Sequence, residues 1–236
     1  MYLFLLSEKC GEALKNNLSR IGEIILVGQN KYFYEEESRH ADMQLFKTGE
    51  KSIIAAPGFD NKAARMLAAY GIEVAYGKTV PERKYPRNIS YNVLNAGGCF
   101  VHKCTYTEPE IKRYAELTGK RFINVKQGYS ACTSVYIPFS NLIITGDEGI
   151  IRAAKENNYN VCIFEHTSEI TLRGYGHGFI GGCCGVLDGG RRLIVNGSFT
   201  GLYKKTAGLL ERYGIDIIDA GTGRLEDIGG IITFTY

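Results

Sequence analysis

His177 is the residue whose setting most invites a chemical role. It sits in Gly174-Tyr175-Gly176-His177-Gly178, a run too rich in glycine for a regular element, where an imidazole gains no packing from its neighbours and can exchange protons near neutral pH. Thiols are the second resource. Cys99, Cys132 and the adjacent Cys183 and Cys184 could act as nucleophiles assisted by His177 or His40, or as soft metal ligands; the plain alternative is that small thiols pack where strands crowd together. No Cys-x-x-Cys or His-x-x-x-His spacing supports a metal, so none is assigned. Carboxylates are the third. Asp42, close to Arg39 and His40, could accept two hydrogen bonds from a guanidinium or ammonium group, while Arg39 could recruit a substrate carboxylate; a solvated polar turn would look the same. Glu226 and Asp227 stand before a glycine-flanked strand as a second acidic pair or as surface charge, and His102 and His166 read as structural or exposed.

The elements that must position these groups recur. A helix end, a turn residue and a short apolar strand appear five times, around Gly22, Gly71, Gly119, Asn158 and Gly214, which is the residue choice expected where a left-handed conformation closes a helix. Start signals precede the helices: Thr107-Glu108-Pro109-Glu110 has capping-box spacing, and Asp60 and Asp147 can cap two others. Hairpins precede three of them, at 43–46 with 52–56, 134–137 with 141–145, and 186–187 with 193–195. The unit is therefore strand, strand, helix, strand, and Ile231 to Phe234 can complete the shortened first copy. With neither end resembling a polar cap, a closed ring is the economical arrangement, and residues 1–236 are expected to form a single domain. Aligning the starts of the hairpins puts Asp42, Cys99, Cys132, Cys183 or Cys184, and Asp227 at equivalent points facing the axis.

Composition narrows the partners. With 28 basic and 25 acidic residues the charge is too small and too evenly spread for a phosphate-backbone binder, so nucleic acid is not expected. The N-terminal apolar stretch meets Ser7-Glu8-Lys9 at once, far short of the roughly 20 residues of a membrane span and without a leader's features. Seven cysteines at irregular spacing read as reduced thiols of a cytoplasmic protein. The basic irregular stretch from Gly77 to Tyr91 reads as a solvated loop, with an anion-binding lid as the sharper alternative. Gly221-Thr222-Gly223-Arg224 lacks the third glycine and the helix of a phosphate loop, and no cofactor is expected. The expected partners are a small-molecule ligand or substrate and at most a second copy in a homodimer.

This organisation resembles the pentein, or guanidine-group-modifying enzyme, superfamily, an α/β propeller of five strand-strand-helix-strand units that includes arginine deiminase, agmatine deiminase, dimethylarginine dimethylaminohydrolase and the amidinotransferases. Arg39-His40-Ala41-Asp42-Met43, Asn95-Ala96-Gly97-Gly98-Cys99, Gly176-His177-Gly178 and Glu226-Asp227-Ile228-Gly229-Gly230 are similar in placement to its acidic, Gly-Gly and histidine motifs. The chain looks most like an uncharacterised bacterial branch. The resemblance implies an axial pocket where carboxylates grip a guanidinium, a cysteine attacks its central carbon and a histidine moves protons. The sequence departs from that pattern: no cysteine follows Cys184, Gly229-Gly230-Ile231 stands where the nucleophile is expected, the second unit's acidic position falls on Cys99, and the third unit's histidine and aspartate positions fall near Ser130 and Cys132. Two readings follow. One is a thiol-dependent C–N hydrolase or amidinotransferase with Cys183 or Cys184 as nucleophile, His177 as acid-base group, and Asp42 with Glu226 or Asp227 as the cation clamp. The other is a non-catalytic binding protein that kept the fold.

Overall fold

The computed structural model describes all 236 residues. Its strands form five separate three-stranded sheets. The first joins β1 (Tyr2–Ser7) to β2 (Gly22–Val27) through α1 (Glu12–Leu18). The second holds α2 (Ala41–Gln44), β3 (Leu45–Gly49), β4 (Ser52–Ala55), α3 (Asn61–Ala69) and β5 (Glu73–Tyr76). The third holds β6 (Leu94–Ala96), β7 (Cys99–His102), α4 (Pro109–Leu117) and β8 (Arg121–Asn124). The fourth holds α5 (Ser130–Thr133), β9 (Ser134–Ile137), β10 (Leu142–Thr145), α6 (Glu148–Glu156) and β11 (Asn160–Ile163). The fifth holds β12 (Cys184–Leu187), β13 (Arg192–Val195), α7 (Phe199–Leu202), α8 (Lys204–Arg212) and β14 (Asp216–Asp219). The last strand, β15 (Ile232–Thr235), returns to pair antiparallel with β1 and supplies the first unit's missing strand.

Every unit thus has one antiparallel pair and one parallel pair joined by a helix. The helices bury an apolar stripe at helical spacing, such as Leu14 and Leu18 of α1 or Ile150 and Ala154 of α6. Side chains stitch neighbouring first strands around the axis: Asn95 Nδ2 donates to the Lys47 carbonyl (3.3 Å), Lys47 Nζ to the Thr233 carbonyl, and Thr233 Oγ1 to the Val186 carbonyl (2.6 Å). The five-unit ring expected from the sequence is the architecture observed.

Four of the five helix-to-strand joints follow the predicted geometry, with φ of +74° at Gly71, +67° at Gly119, +62° at Asn158 and +73° at Gly214. The first does not. Gly22 opens β2 in an ordinary conformation, and it is glycine because a Cβ there would strike the Tyr2 carbonyl and the Phe4 ring on β1. Asp60 and Asp147 cap α3 and α6 as expected. The cap of α4 is Glu108 rather than Thr107. Its buried carboxylate accepts the backbone N–H groups of Lys78 (2.9 Å), Thr79 (2.8 Å) and Glu110 (3.2 Å), and these bonds hold it below the usual carboxylate range against the opposing effect of burial. The basic stretch after Gly77 is therefore anchored on an anion of the protein itself, with Lys78 and Arg87 paired to Glu110 and Glu82. No helix is long and apolar enough to cross a membrane, and all seven cysteines are free.

Candidate functional site

Segments just before the axial strands converge at one end of the ring. Two residues before the strand starts at Leu45, Leu94, Ser134, Cys184 and Ile232 stand Met43, Asn92, Cys132, Gly182 and Gly230. A buried polar cluster forms among them and their neighbours. The Cys132 thiol donates to Asp42 Oδ2 (2.9 Å), and Asn92 Nδ2 reaches both Cys132 Sγ (2.9 Å) and the Asp42 carbonyl (3.0 Å). Asn92 Oδ1 accepts the amides of Ala131 (2.9 Å) and Cys132 (3.2 Å), which fixes α5. Asp227 accepts Phe179 N–H (2.9 Å) and Gly229 N–H (3.0 Å), and His40 Nδ1 lies 3.8 Å from its Oδ1. Gly182 is required for close approach: a Cβ there would run into the Asp227 carboxylate.

Electrostatics set the protonation. Burial pushes Asp42 up to about 6, with His40 opposing and the Asp227 charge adding to the shift. Asp227 is also raised, chiefly by burial. Burial, then the charges of Asp42 and Asp227, lift Cys132 well above the usual thiol range, so it is a neutral donor rather than a thiolate.

Beside this cluster opens a pocket of about 240 Å³. Its buried lining is Glu37, His40, Met43, Cys132 and Asp227. Tyr129 and Phe179 line it with nearly parallel rings, centroids 6.3 Å apart and planes 24° from each other. Tyr175 and His177, both exposed, come from the glycine-rich loop; the His177 ring stands edge-on to Phe179 at 5.5 Å, and the Tyr175 hydroxyl donates to Glu37 Oε1 at 2.7 Å. Asn88 Nδ2 holds the other Glu37 oxygen at 3.2 Å. Two carboxylates and two imidazoles line this pocket, and no lysine or arginine does. The arrangement offers a buried acidic seat with flat aromatic walls, the combination that receives a planar or ammonium cation. No group of three or more histidine, cysteine or acidic side chains is arranged to hold a metal ion.

The sequence-derived candidates divide. His40, Cys132, His177 and Asp227 meet in the pocket, with Asp42 hydrogen-bonded behind Cys132. Cys183 does not reach it: one residue beyond the position equivalent to Cys132, its side chain joins the apolar core with Val195 and Phe199 and donates to the Phe179 carbonyl (3.3 Å). Cys184, on β12, lines the opposite end of the axis, and burial raises both thiols. Cys99 starts β7 rather than an axial strand, in a core cluster with Leu94 and Ala96; Asn92 takes the place it was given. Arg39 turns away to Glu8 and to Glu35 (2.7 Å), and Glu226 is exposed beside Asp227 without lining the pocket. His102 is structural, bonded to Thr107 Oγ1 and the Gly128 carbonyl, with burial lowering its pKa to about 4; His166 is half-buried and pairs with Glu169. Glu37, Asn92, Tyr129, Tyr175 and Phe179 were not singled out from sequence; only Asn92, placed before an apolar run as Cys132 is, carried a readable signal.

Comparison with known proteins agrees with this architecture. The model of the family described as "Family of unknown function (DUF6873)" matches residues 5–232, and the chain belongs to that family. No curated protein matches it in sequence. Among solved structures, dimethylarginine dimethylaminohydrolase from Pseudomonas aeruginosa, a mutant complexed with citrulline, superposes with a TM-score of 0.57 at 11% identity over 99% of this chain and 98% of that one. A dimethylarginine dimethylaminohydrolase adduct with 4-chloro-2-hydroxymethylpyridine gives 0.54 at 11% identity, covering 94% and 93%. An inosamine-phosphate amidinotransferase from Streptomyces griseus gives 0.52 at 14% identity, covering 92% and 75%. At these identities the likeness shows the fold, which is the pentein propeller.

Proposed function

We propose that this DUF6873 protein binds a small guanidinium-type or ammonium cation in the pocket lined by Glu37, Cys132 and Asp227. One observation carries the reading: two buried carboxylates face a pocket with flat aromatic walls and no lysine or arginine. Glu37 has no basic partner there and Asp227 only His40 at 3.8 Å; buried carboxylates so placed are costly, and a ligand cation supplies the missing charge. Two structural neighbours are named as a dimethylarginine dimethylaminohydrolase and an amidinotransferase, names that point to guanidino and amidino groups and support the same ligand class. The neutral state of Cys132 supports binding over catalysis in the ligand-free protein.

A second reading has its own support, because Cys132 shares the pocket with two imidazoles. In it, a bound cation lowers the thiol's pKa, Asp42 takes the thiol proton, the thiolate adds to the guanidinium carbon, and an amine leaves with a proton from His177 or His40. Water then gives a proton back to that imidazole and displaces the sulfur, releasing a ureido product as Asp42 returns its proton to the thiolate. The experiment is a thermal-melt and calorimetric screen of agmatine, methylguanidinium and arginine against methylurea, the uncharged counterpart of methylguanidinium. A cation at 100 times its dissociation constant stabilises the fold by about 2.7 kcal/mol. Stabilisation by a cation, lost in Glu37→Gln, is expected; indifference to every cation overturns the binding reading. Ammonia or amine release that disappears in Cys132→Ser would select the catalytic one.

A further inference from the structure

A second and larger cavity, of about 590 Å³, runs along the axial strands, and all five units contribute to it. Its walls combine apolar side chains, among them Leu45, Val93, Val135, Val186 and Ile231, with polar ones such as Asn95, Ser134 and Thr233. Asp42 also lines it. This carboxylate is 5% exposed, and while its Oδ2 accepts the Cys132 thiol, its Oδ1 has no hydrogen-bond partner. An orphaned buried carboxylate oxygen is costly, and polar groups so placed ordinarily find a donor. The remaining charged lining is Lys47, Glu50 and Asp188, which with Asp42 makes three carboxylates to one lysine. Lys47 is itself neutralised by Glu50, and Asp188 pairs with Arg192. The uncompensated charge is therefore that of Asp42, and it is negative. A volume of this size falls within the range of small-molecule sites.

We propose that this wide cavity is a second binding site, separate from the Glu37 pocket, for a primary amine whose ammonium group pairs with Asp42 and whose aliphatic body lies against the apolar walls. The two sites both favour a cation and differ in the body they receive: the narrow pocket sets Tyr129 and Phe179 as flat walls, whereas the wide cavity has Leu45, Val93, Val135, Val186 and Ile231 along its length. Guanidinium recognition by Glu37 and Asp227 is not needed for it, so either proposal can fail alone.

The test uses n-hexylammonium as probe and n-hexanol as its uncharged counterpart, titrated calorimetrically into the full chain. Hexylammonium is expected to bind saturably at one site, with hexanol at least about tenfold weaker, a difference of about 1.4 kcal/mol. Val186→Trp, which puts a bulky ring across one wall of the cavity, should abolish measurable binding, and Asp42→Asn should weaken it by a similar tenfold. Because Asp42→Asn alters a buried cluster, Val186→Trp and a crystal soaked in hexylammonium read the same site independently. No binding to the wild-type protein overturns the proposal. So does binding that survives Val186→Trp, binding lost instead in Glu37→Gln, or equal affinity for hexanol.

Discussion

The two ends of the ring axis are built from the same five units yet differ in what they expose. At the narrow end the chain enters the axial strands through short turns, and these bring backbone amides, Asn92, Cys132 and two aspartates into one hydrogen-bonded cluster. At the wide end regular strands line the axis, and branched aliphatic side chains such as Leu45, Val93, Val135, Val186 and Ile231 stand among polar ones. Chemistry concentrates where irregular backbone meets the axis, and apolar volume where regular strands do. Asp42 belongs to both ends: it holds the Cys132 thiol on one side and lines the wide cavity on the other.

The largest expected effect breaks the narrow end outright. Gly182→Ala drives a methyl group into the Asp227 carboxylate, whose bonds to Phe179 and Gly229 hold the loop and the last turn, so a loss of about 3 kcal/mol or more is expected in denaturant unfolding. The same change at Gly98, where a Cβ meets nothing within 4 Å, should be nearly silent. Equal effects at the two positions would contradict the packing described here.

Asp42→Asn probes the group the two ends share. Its folded pKa of about 6 lies above an unfolded value near 3.9, so the folded chain holds the extra proton, and Asp42's contribution to stability is full below about pH 4 and lost as pH rises through about 6. His40, Asp227, Cys132 and Glu37 bear on this group and remain in the variant. Melting curves from pH 4 to 7 should therefore show a smaller decline for Asp42→Asn than for wild type, and an unchanged slope would mean that Asp42 is not the titrating group.

Smallest is the effect of Tyr175→Phe. Removing one hydroxyl from Glu37 should cost about 1 kcal/mol of stability while tightening cation binding a few-fold, since the carboxylate no longer has an internal donor. Weaker binding in this variant would show that the hydroxyl contacts the ligand.

The fold was legible because its joints repeat locally: a glycine or asparagine after the crossover helices, an acidic cap before three of them, at Asp60, Glu108 and Asp147, and an apolar strand beyond. Gly22 fits that pattern for a different reason, tight strand pairing, which no single-residue signal separates from a turn. The site was legible in part. Asp42, Cys132 and Asp227 lie at segment ends that a repeat alignment can find, His40 stands beside Asp42, and His177 is marked by the glycines around it. Cys99 and Cys183 did not hold because register decides which way a side chain faces: Gly97-Gly98 is the hairpin between β6 and β7 rather than the approach to an axial strand, and one step from Gly182 to Cys183 exchanges the axis for the core. Glu37, Tyr129 and Tyr175 come from loops that meet only in three dimensions, 46 positions or more apart in the case of Tyr175 and Tyr129, and no periodicity marks them.

The most direct test of the account is a crystal structure of the protein soaked with methylguanidinium. The account predicts the cation beside Glu37 and Asp227, between Tyr129 and Phe179, with Cys132 unmodified beneath it. A cation found only in the wide cavity, or density at neither end when the melt screen saturates, would contradict it.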